Sequence, residues 1–199
     1  MSTSAQVASN ISAGKPFVSK PEPKPKHTKK TEFVRWVQDR SLNGVCQHEA
    51  RSHMPSDLAH YLFASCFAQM EGYSPRLDVF PLKLLPDHAN VSNTARKAEE
   101  IPFKDRFRVQ CSRNPATTIV SHIGKDGHYY IHYDPTQCRS LTVREAARLQ
   151  TFPDNYYFAG NRTEQYIQVG NAVPPLLANK LAKIVRGLLA GLNLLGNDR

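Results

Sequence analysis

The sequence predicts a mixed α/β fold in which a small, irregular β region is joined to helices at its periphery. Three observations support this prediction. Two β-favouring runs flank a glycine-containing turn between residues 115 and 133, a capping pattern begins a short helix at Thr142, and apolar residues recur at helical spacing after Pro175. A complete doubly wound sheet is not expected.

The composition is that of a folded domain with a strongly basic end. The chain has 199 residues, of which 40% are hydrophobic and 22% charged, enough for one sizeable domain or for a small domain with a docking segment. Its net charge of +9 favours an anionic partner, either nucleic acid or an acidic membrane surface. Residues 1–30 hold +5 of this charge.

Residues 1–30 are predicted to form a disordered basic tail. Alternating prolines and lysines at residues 20–26 remove amide donors and keep the backbone extended. Such a tail either contacts phosphates without sequence preference or is simply solvated, and the composition favours the solvated tail.

Cysteine spacing and hydropathy predict a reduced, cytoplasmic protein. The four cysteines lie far apart, include no Cys-x-x-Cys pair and follow no secretory signal. The most apolar stretch, residues 176–195, is interrupted by Lys180, Lys183 and Arg186, so it is not expected to span a membrane.

Residues 31–138 are predicted to contain one clear helix. Pro55 suits the first helical position and Gly72 suits the stop, with apolar residues at helical spacing between them, so a helix is expected near 55–71. Residues 73–114 are rich in proline and charge, which predicts an irregular connector.

A β-hairpin is predicted near residues 115–133. The β-favouring runs Thr117–Val120 and His128–His132 are separated by Gly124-Lys125-Asp126-Gly127. Two such runs around a glycine-containing turn are typical of a hairpin.

Residues 139–199 are predicted to contain two helices. Thr142 followed by Glu145 is a capping box, because the hydroxyl accepts a backbone N–H while the carboxylate reaches back, so a helix is expected over 142–150. A longer helix is expected over 175–192.

The longer helix carries an apolar stripe that needs a partner surface. Its residues at helical spacing are Leu177, Leu181, Ile184 and Leu188. We expect this stripe to be partly uncovered in this chain, since a large exposed apolar patch marks an interaction site.

Two stretches in this region resemble the last two signature motifs of the DNA (cytosine-5)-methyltransferase family. The first is Arg139–Asp154, which contains Thr-Val-Arg-Glu-Ala-Ala-Arg-Leu-Gln, and the second is Gln168–Pro175, which contains Val-Gly-Asn-Ala-Val-Pro. Their order, their separation and the aromatic residues Tyr156-Tyr157-Phe158 between them are also similar to that family.

The resemblance extends upstream of these motifs. Thr118-Ile119, followed by Gly124 and Gly127, is similar to the target-recognition domain that precedes the first motif in the family. The segment His48–Met54 looks like sequence in bacterial members.

This resemblance implies a part in methyl transfer from S-adenosylmethionine to carbon 5 of cytosine in duplex DNA, in the restriction-modification setting of a bacterial cytoplasm. Residues 31–138 would form the target-recognition region. Residues 139–199 would complete a Rossmann-like, S-adenosylmethionine-dependent methyltransferase fold.

The same resemblance implies three groups of site residues. Those expected to contact DNA are Thr118, Ser121, His122, Lys125, Arg139 and Arg148. Those expected to contact S-adenosylmethionine are Gly170, Asn171 and Ala172. Those with expected structural roles are Arg144 and Glu145. Two alternatives stay open: the hairpin only packs against the fold, and the glycine turn only begins a core helix.

The motifs that the chain lacks determine its expected activity. Methylating carbon 5 of cytosine requires a thiolate that attacks carbon 6, an acid at ring nitrogen 3 and bound S-adenosylmethionine. The family supplies these from Pro-Cys, Glu-Asn-Val and glycine-rich motifs, and the sequence contains none of them. Cys46 follows Val45 rather than proline and is out of order, so no catalytic residue is assigned.

Three functional hypotheses follow. The chain is the smaller subunit of a split methyltransferase whose catalytic subunit supplies the nucleophile and most of the cofactor pocket. Alternatively, it is a truncated, non-functional remnant of a single-chain enzyme. In the third hypothesis it is a stand-alone DNA-binding module.

A zinc site is the main rival interpretation of the segment near Cys46. His48, Glu49 and His53 follow that cysteine, but their spacing matches no familiar zinc set and lacks a second cysteine pair. Ordinary packing is favoured, and no metal is predicted. Phosphate-binding glycine loops and serine-nucleophile elbows are also missing from the sequence.

Overall fold

The computed structural model describes residues 14–19, 31–39, 41–42, 44–85 and 104–192. Within these ranges the chain forms five α-helices, short 3-10 turns and one two-stranded sheet. Two clusters of buried apolar side chains hold the elements together. The described residues therefore have the mixed α/β character that the sequence predicts.

The sheet includes part of the amino-terminal segment. Strand β1, Gly14–Ser19, pairs antiparallel with strand β2, Gly44–Glu49, and Phe17 lies opposite Cys46. The prediction of a disordered tail over residues 1–30 is therefore wrong for β1. Phenylalanine and valine favour strands, and the run of prolines and lysines on which the prediction rested follows them, outside the described residues.

Helix α1, Glu32–Val37, contacts a turn far along the chain. The indole Nε1 of Trp36 donates to the carbonyl of Thr151 at 2.7 Å. The N–H of Asp154 donates to the carbonyl of Val37 at 2.8 Å. The single tryptophan thus joins α1 to the end of the first signature motif.

Helix α2, Pro55–Glu71, has the bounds that the sequence predicts. Gly72 ends it in the left-handed conformation, with φ of 81°, which glycine adopts without steric cost. One face of α2 packs into the first buried cluster. The members of that cluster are Tyr61, Ala64, Ala68, Leu77, Phe80, Phe107, Val109, Ile131 and Cys138.

The β-hairpin predicted near residues 115–133 is wrong. Ser121–Gly124 forms a 3-10 turn instead, and the residues before it lie in no strand. The N–H of Ile131 donates to the carbonyl of Arg108, and its carbonyl accepts from the N–H of Gln110, both at 2.9 Å. Residues 108–110 therefore bind the backbone N–H and carbonyl of Ile131 that a hairpin partner would have bound.

Helix α3, Val143–Leu149, lies within the predicted range, and helix α4, Arg162–Asn171, follows it. Helix α4 was not predicted, although Asn161 and Glu164 form a capping box at its start. The second buried cluster packs these helices together. Its members are Ile119, Ile123, Tyr130, Leu141, Val143, Ala146, Ala147, Phe152, Phe158, Tyr166 and Val169.

Helix α5, Pro175–Gly191, follows the second signature motif and has no buried residue. Its apolar stripe is exposed: Leu177 by 48%, Leu181 by 51%, Ile184 by 61% and Leu188 by 63%. The prediction of a partly uncovered stripe is confirmed. Among the described residues, no helix is long and apolar enough to cross a membrane.

Candidate functional site

A short turn displays most of the side chains expected to contact DNA. We call residues 121–125 the 121–125 turn; they comprise the 3-10 turn and the residue after it. Ser121, His122 and Lys125 are exposed on this turn, and Thr118 is exposed just before it. Four of the six expected DNA contacts therefore lie on one exposed segment.

The backbone beneath these exposed side chains is held from inside the protein. Ile119 and Ile123 are buried in the second cluster. The hydroxyl of Tyr130 donates to the carbonyl of Thr118 at 3.1 Å and accepts from the N–H of Val120 at 3.2 Å. The segment is thus anchored on its inner side, while its polar side chains stay free to meet a ligand.

Helix α4 is the platform on which the 121–125 turn rests. A Cβ at Gly170 would lie 2.4 Å from both the backbone nitrogen of Ser121 and the carbonyl carbon of Val120. A Cβ at Gly124 would lie 3.0 Å from Cγ1 of Ile167 on α4. The two glycines let helix and turn approach more closely than side chains would permit.

The residues expected to contact the cofactor lie at the end of this helix. Asn171 is exposed, and its side chain makes no hydrogen bond to another described residue. Ala172 is half-buried, and Val173 is 63% exposed. A free amide beside an apolar side chain fits one wall of a site for S-adenosylmethionine. At Gly170, in contrast, the position that a Cβ would occupy faces the 121–125 turn.

Arg139, which is buried, forms an ion pair with the half-buried Glu145. The guanidinium binds both carboxylate oxygens, Nη1 to Oε2 at 2.7 Å and Nη2 to Oε1 at 2.8 Å. Burial alone raises the pKa of Glu145, but the hydrogen bonds and charge of Arg139 outweigh it and lower that pKa to about 2. Because Arg139 is only 7% exposed, this geometry does not support its expected contact with a DNA phosphate.

Glu145 also completes the capping box of α3. The N–H of Thr142 donates to Oε2 of Glu145 at 2.8 Å, and the N–H of Glu145 donates to the threonine hydroxyl at 3.2 Å. The carboxylate thus holds both the start of the helix and the Arg139 guanidinium.

Arg144 is fully buried among backbone carbonyls. Its Nε donates to the carbonyl of Cys46 at 3.1 Å, Nη1 to that of Pro153 at 3.2 Å and Nη2 to that of Tyr156 at 2.7 Å. One guanidinium therefore joins β2, α3 and the segment after α3. No phosphate can reach it in this conformation.

Arg148 is the most accessible arginine of the first signature motif. Its guanidinium pairs with Asp154, Nε to Oδ1 and Nη2 to Oδ2, each at 2.8 Å. The arginine side chain is 39% exposed, whereas the aspartate side chain is 6% exposed. Its outer edge remains open to an anion.

The residues of the rival zinc interpretation have separate partners. The imidazole Nδ1 of His48 lies 3.0 Å from the hydroxyl of Thr142, and Glu49 pairs with Arg162 at 3.0 Å. Within the part of the chain that the structure describes, no three histidine, cysteine, aspartate or glutamate residues are grouped closely enough to hold a metal ion.

Arg51 also belongs to this site, although it is not among the predicted site residues. Arg51 hydrogen-bonds to the backbone of the 121–125 turn and lies over the ring of Tyr166 on α4. The only indication of this role in the sequence is that Arg51 falls within His48–Met54, the segment that looks like sequence in bacterial methyltransferases. Its partners lie more than seventy residues away in sequence.

Comparison with known proteins agrees with the two signature motifs. The profile of the C-5 cytosine-specific DNA methylase family matches residues 16–186. The chain belongs to this family. Members of the DNA methylase family transfer a methyl group from S-adenosylmethionine to cytosine in DNA, so DNA is the family's substrate.

Individual relatives within the DNA methylase family match parts of the chain. It is 59% identical over 92 residues to the type II methyltransferase M.Bpa9945I of Bacillus paralicheniformis, covering 46% of this chain and 21% of the relative. It is 45% identical over 120 residues to the DNA (cytosine-5-)-methyltransferase M.ApeKI of Aeropyrum pernix, covering 59% and 25%. It is 34% identical over 131 residues to the type II methyltransferase M1.HphI of Haemophilus parahaemolyticus, covering 57% and 34%.

The match therefore spans about a fifth to a third of the length of these relatives. Each of the three is a methyltransferase by name.

Proposed function

We propose that this chain supplies the DNA target-recognition region and the carboxy-terminal part of the cofactor domain of a DNA (cytosine-5)-methyltransferase. In this proposal the chain does not methylate DNA alone. A catalytic subunit with the Pro-Cys and Glu-Asn-Val motifs completes the active site, and the two polypeptides share one S-adenosylmethionine.

The observation that carries the proposal is the uncovered apolar face of α5. Leu181, Ile184 and Leu188 are each more than half exposed on one side of this helix. Contiguous apolar surface of this kind marks an interaction site in soluble proteins. Since α5 begins directly after the motif expected at the cofactor, we propose that the cofactor domain of the catalytic subunit covers it.

The role in DNA recognition is supported by the 121–125 turn. Phosphate contacts position a protein on DNA, and base-edge contacts carry the sequence preference. Lys125 offers a charge for phosphate, while Ser121 and His122 offer short hydrogen-bonding groups suited to base edges. Thr118 stands beside them on the anchored backbone. Because a cytosine inside duplex DNA is unreachable, these contacts would hold the helix while the target base is flipped out.

The arginines of the first motif take two different roles in this proposal. Arg148 contacts a phosphate through the open edge of its guanidinium. Arg139 and Arg144 bind partners within the chain. They therefore support the site by fixing α3 and the segments around it.

The end of α4 is proposed to form one wall of the cofactor pocket. S-adenosylmethionine, when bound, supplies the activated methyl group. Asn171 would bind its polar atoms through the free amide, and Ala172 would leave space for it. Gly170 keeps this wall close to the 121–125 turn, which brings the cofactor side and the DNA side of the site together.

Reconstitution tests the proposal. The chain, a polypeptide from the same genome carrying the missing motifs, and the two together are each incubated with duplex DNA and S-adenosylmethionine. Bisulfite sequencing then measures 5-methylcytosine. Only the pair is expected to methylate DNA. Methylation by the chain alone, or none by a folded and associated pair, contradicts the proposal.

A stand-alone DNA-binding module is the second candidate, and the net charge of +9 favours it. It predicts that the chain alone binds duplex DNA with an affinity that falls steeply as salt rises. If the chain neither binds DNA nor completes a methyltransferase, it is a non-functional remnant.

A further inference from the structure

The guanidinium of Arg51 caps the 121–125 turn from within the protein. Its Nη2 donates to the carbonyl of Ile123 at 2.7 Å, and its Nη1 donates to that of Lys125 at 2.9 Å. Carbonyls at the end of a helical turn lack backbone donors, because no further turn follows. A basic side chain is a common partner for them.

The same guanidinium also lies over a ring of α4. The Cζ atom of Arg51 is 4.1 Å from the centroid of the Tyr166 ring, a cation–π contact. Tyr166 is 1% exposed, and its hydroxyl donates to the carbonyl of Leu141 at 2.7 Å. The ring is therefore held by burial and by its own hydrogen bond, and the guanidinium lies over it.

Gly127 gives the backbone room to pass around this guanidinium. Its φ of 80° lies in the left-handed region, and a Cβ there would lie 2.8 Å from the Ser140 hydroxyl and 3.6 Å from Cζ of Arg51. The chain after the 121–125 turn thus folds closely over the arginine.

We propose that Arg51 is a positioning residue for DNA target recognition. By holding the carbonyls of Ile123 and Lys125 against α4, it fixes the direction in which the polar side chains of the 121–125 turn face DNA. The inference rests on the proposed function, because it assigns DNA contact to that turn. Lysine is expected to replace this arginine only in part, since an ammonium lacks the planar fork that reaches both carbonyls while its face lies over the ring.

Three variants test the inference within the reconstituted pair. Arg51→Met removes the carbonyl bonds, and Arg51→Lys keeps the charge. Arg162→Met is the control, because Arg162 is a surface arginine on α4, 38% exposed, whose ion pair is with Glu49. The measured quantity is the ratio of methylation rates at the recognised sequence and at sequences that differ by one base pair.

Arg51→Met is expected to lower this ratio at least tenfold per folded protein, Arg51→Lys to lower it partly, and Arg162→Met to leave it unchanged. Amide hydrogen exchange supplies a second readout. Residues 121–127 are expected to exchange at least tenfold faster in Arg51→Met, while α4 keeps its protection.

The possible outcomes separate the two proposals. If the wild-type pair does not methylate DNA, the proposed function fails and this inference falls with it. If the wild-type pair methylates selectively but Arg51→Met keeps the same ratio, only the inference is overturned. A loss of folded protein without a change in the ratio assigns Arg51 a purely structural role and also overturns it.

Discussion

Gly170 and Ser121 are in direct backbone contact: a Cβ on the glycine would lie 2.4 Å from the serine nitrogen. This contact joins the end of α4, proposed to face the cofactor, to the turn proposed to face DNA. The neighbouring residues Val169 and Ile119 are buried in the same cluster, so the end of α4 and the 121–125 turn share one core. The two surfaces are therefore packed on each other through backbone atoms, with no space for a side chain between them.

Gly170→Ala is predicted to destabilise the protein. The added methyl group has no space, and overpacking of this kind costs about 1–3 kcal/mol. Gly187→Ala is the matched control on α5, since a Cβ there meets nothing within 4 Å. That control should stabilise its helix by about 0.5–1 kcal/mol. Urea denaturation of both variants measures the difference, and equal effects would show that the contact is not tight.

Arg144→Met is predicted to be among the most destabilising single changes. It removes the guanidinium donor from the part-buried carbonyls of Cys46, Pro153 and Tyr156, of which that of Pro153 keeps the N–H of Tyr156 as a donor. Each unpaired buried group costs about 1–3 kcal/mol, so a total loss above about 3 kcal/mol is expected. Arg162→Met, which breaks only an exposed ion pair, should cost less than about 1 kcal/mol. Thermal unfolding that shifts equally in both variants argues against this prediction.

Local signals in the sequence predicted α2, α3 and α5, and the structure shows why. Pro55 and Gly72 bound α2, and the capping box of Thr142 and Glu145 begins α3. Each of these signals acts within a few residues. The uncovered face of α5 was also predictable, because its stripe is a property of one helix.

The absence of the hairpin and the role of Arg51 could not be predicted in this way, because distant contacts decide both. The backbone groups of Thr118 and Val120 bind the hydroxyl of Tyr130 rather than a strand, and that hydroxyl gives no signal in a β-favouring run. Arg51 acts through a ring on α4, 115 residues further along the sequence. Nothing near Thr118, Val120 or Arg51 in the sequence indicates these partners.

Mild acid is predicted to destabilise the fold through its buried histidines. The N–H of Ser140 donates to Nε2 of His53 at 3.3 Å, so this nitrogen must be unprotonated. Burial, with the charge of Arg51, lowers the pKa of His53 to about 4 from 6.5. Burial also lowers the pKa values of His48, His60 and His132.

The histidines of the unfolded chain become protonated as the pH falls through about 6.5. In the folded chain, burial keeps the same histidines neutral to a lower pH. The free energy of unfolding should therefore fall between about pH 6.5 and pH 4, by up to about 3 kcal/mol for His53 alone. Urea titrations across this range measure the loss, and His53→Gln, which cannot titrate, should reduce the slope. A stability that stays constant from pH 7 to pH 4.5 contradicts the prediction.

Stronger acid is predicted to act through Glu145. Its pKa of about 2 lies below the ordinary 4.5, so its stabilising contribution is complete above pH 4.5 and is lost as the pH falls through about 2. Glu145→Gln should lose about 3 kcal/mol near neutral pH and show no further loss in this lower window. Unfolding followed between pH 5 and pH 2 distinguishes the two proteins. Parallel curves would show that the Arg139 pair contributes nothing.

The apolar face of α5 is predicted to bind the catalytic subunit. The double variant Leu181→Gln and Leu188→Gln should leave the stability of the chain within about 0.5 kcal/mol, because both side chains are already exposed. It should also abolish association with the catalytic subunit, since that face is where the proposal places the contact. Lys183→Gln is the control on the opposite side of the helix.

Analytical ultracentrifugation of the mixed polypeptides, with bisulfite sequencing of DNA exposed to them, measures both effects. Glutamine is a good helix former, so a loss of association is not explained by unfolding of α5. Normal association and methylation by the double variant would place the catalytic subunit elsewhere on the chain. A large loss of stability would instead mean that the stripe packs within this polypeptide, which removes the reason for assigning it to a partner.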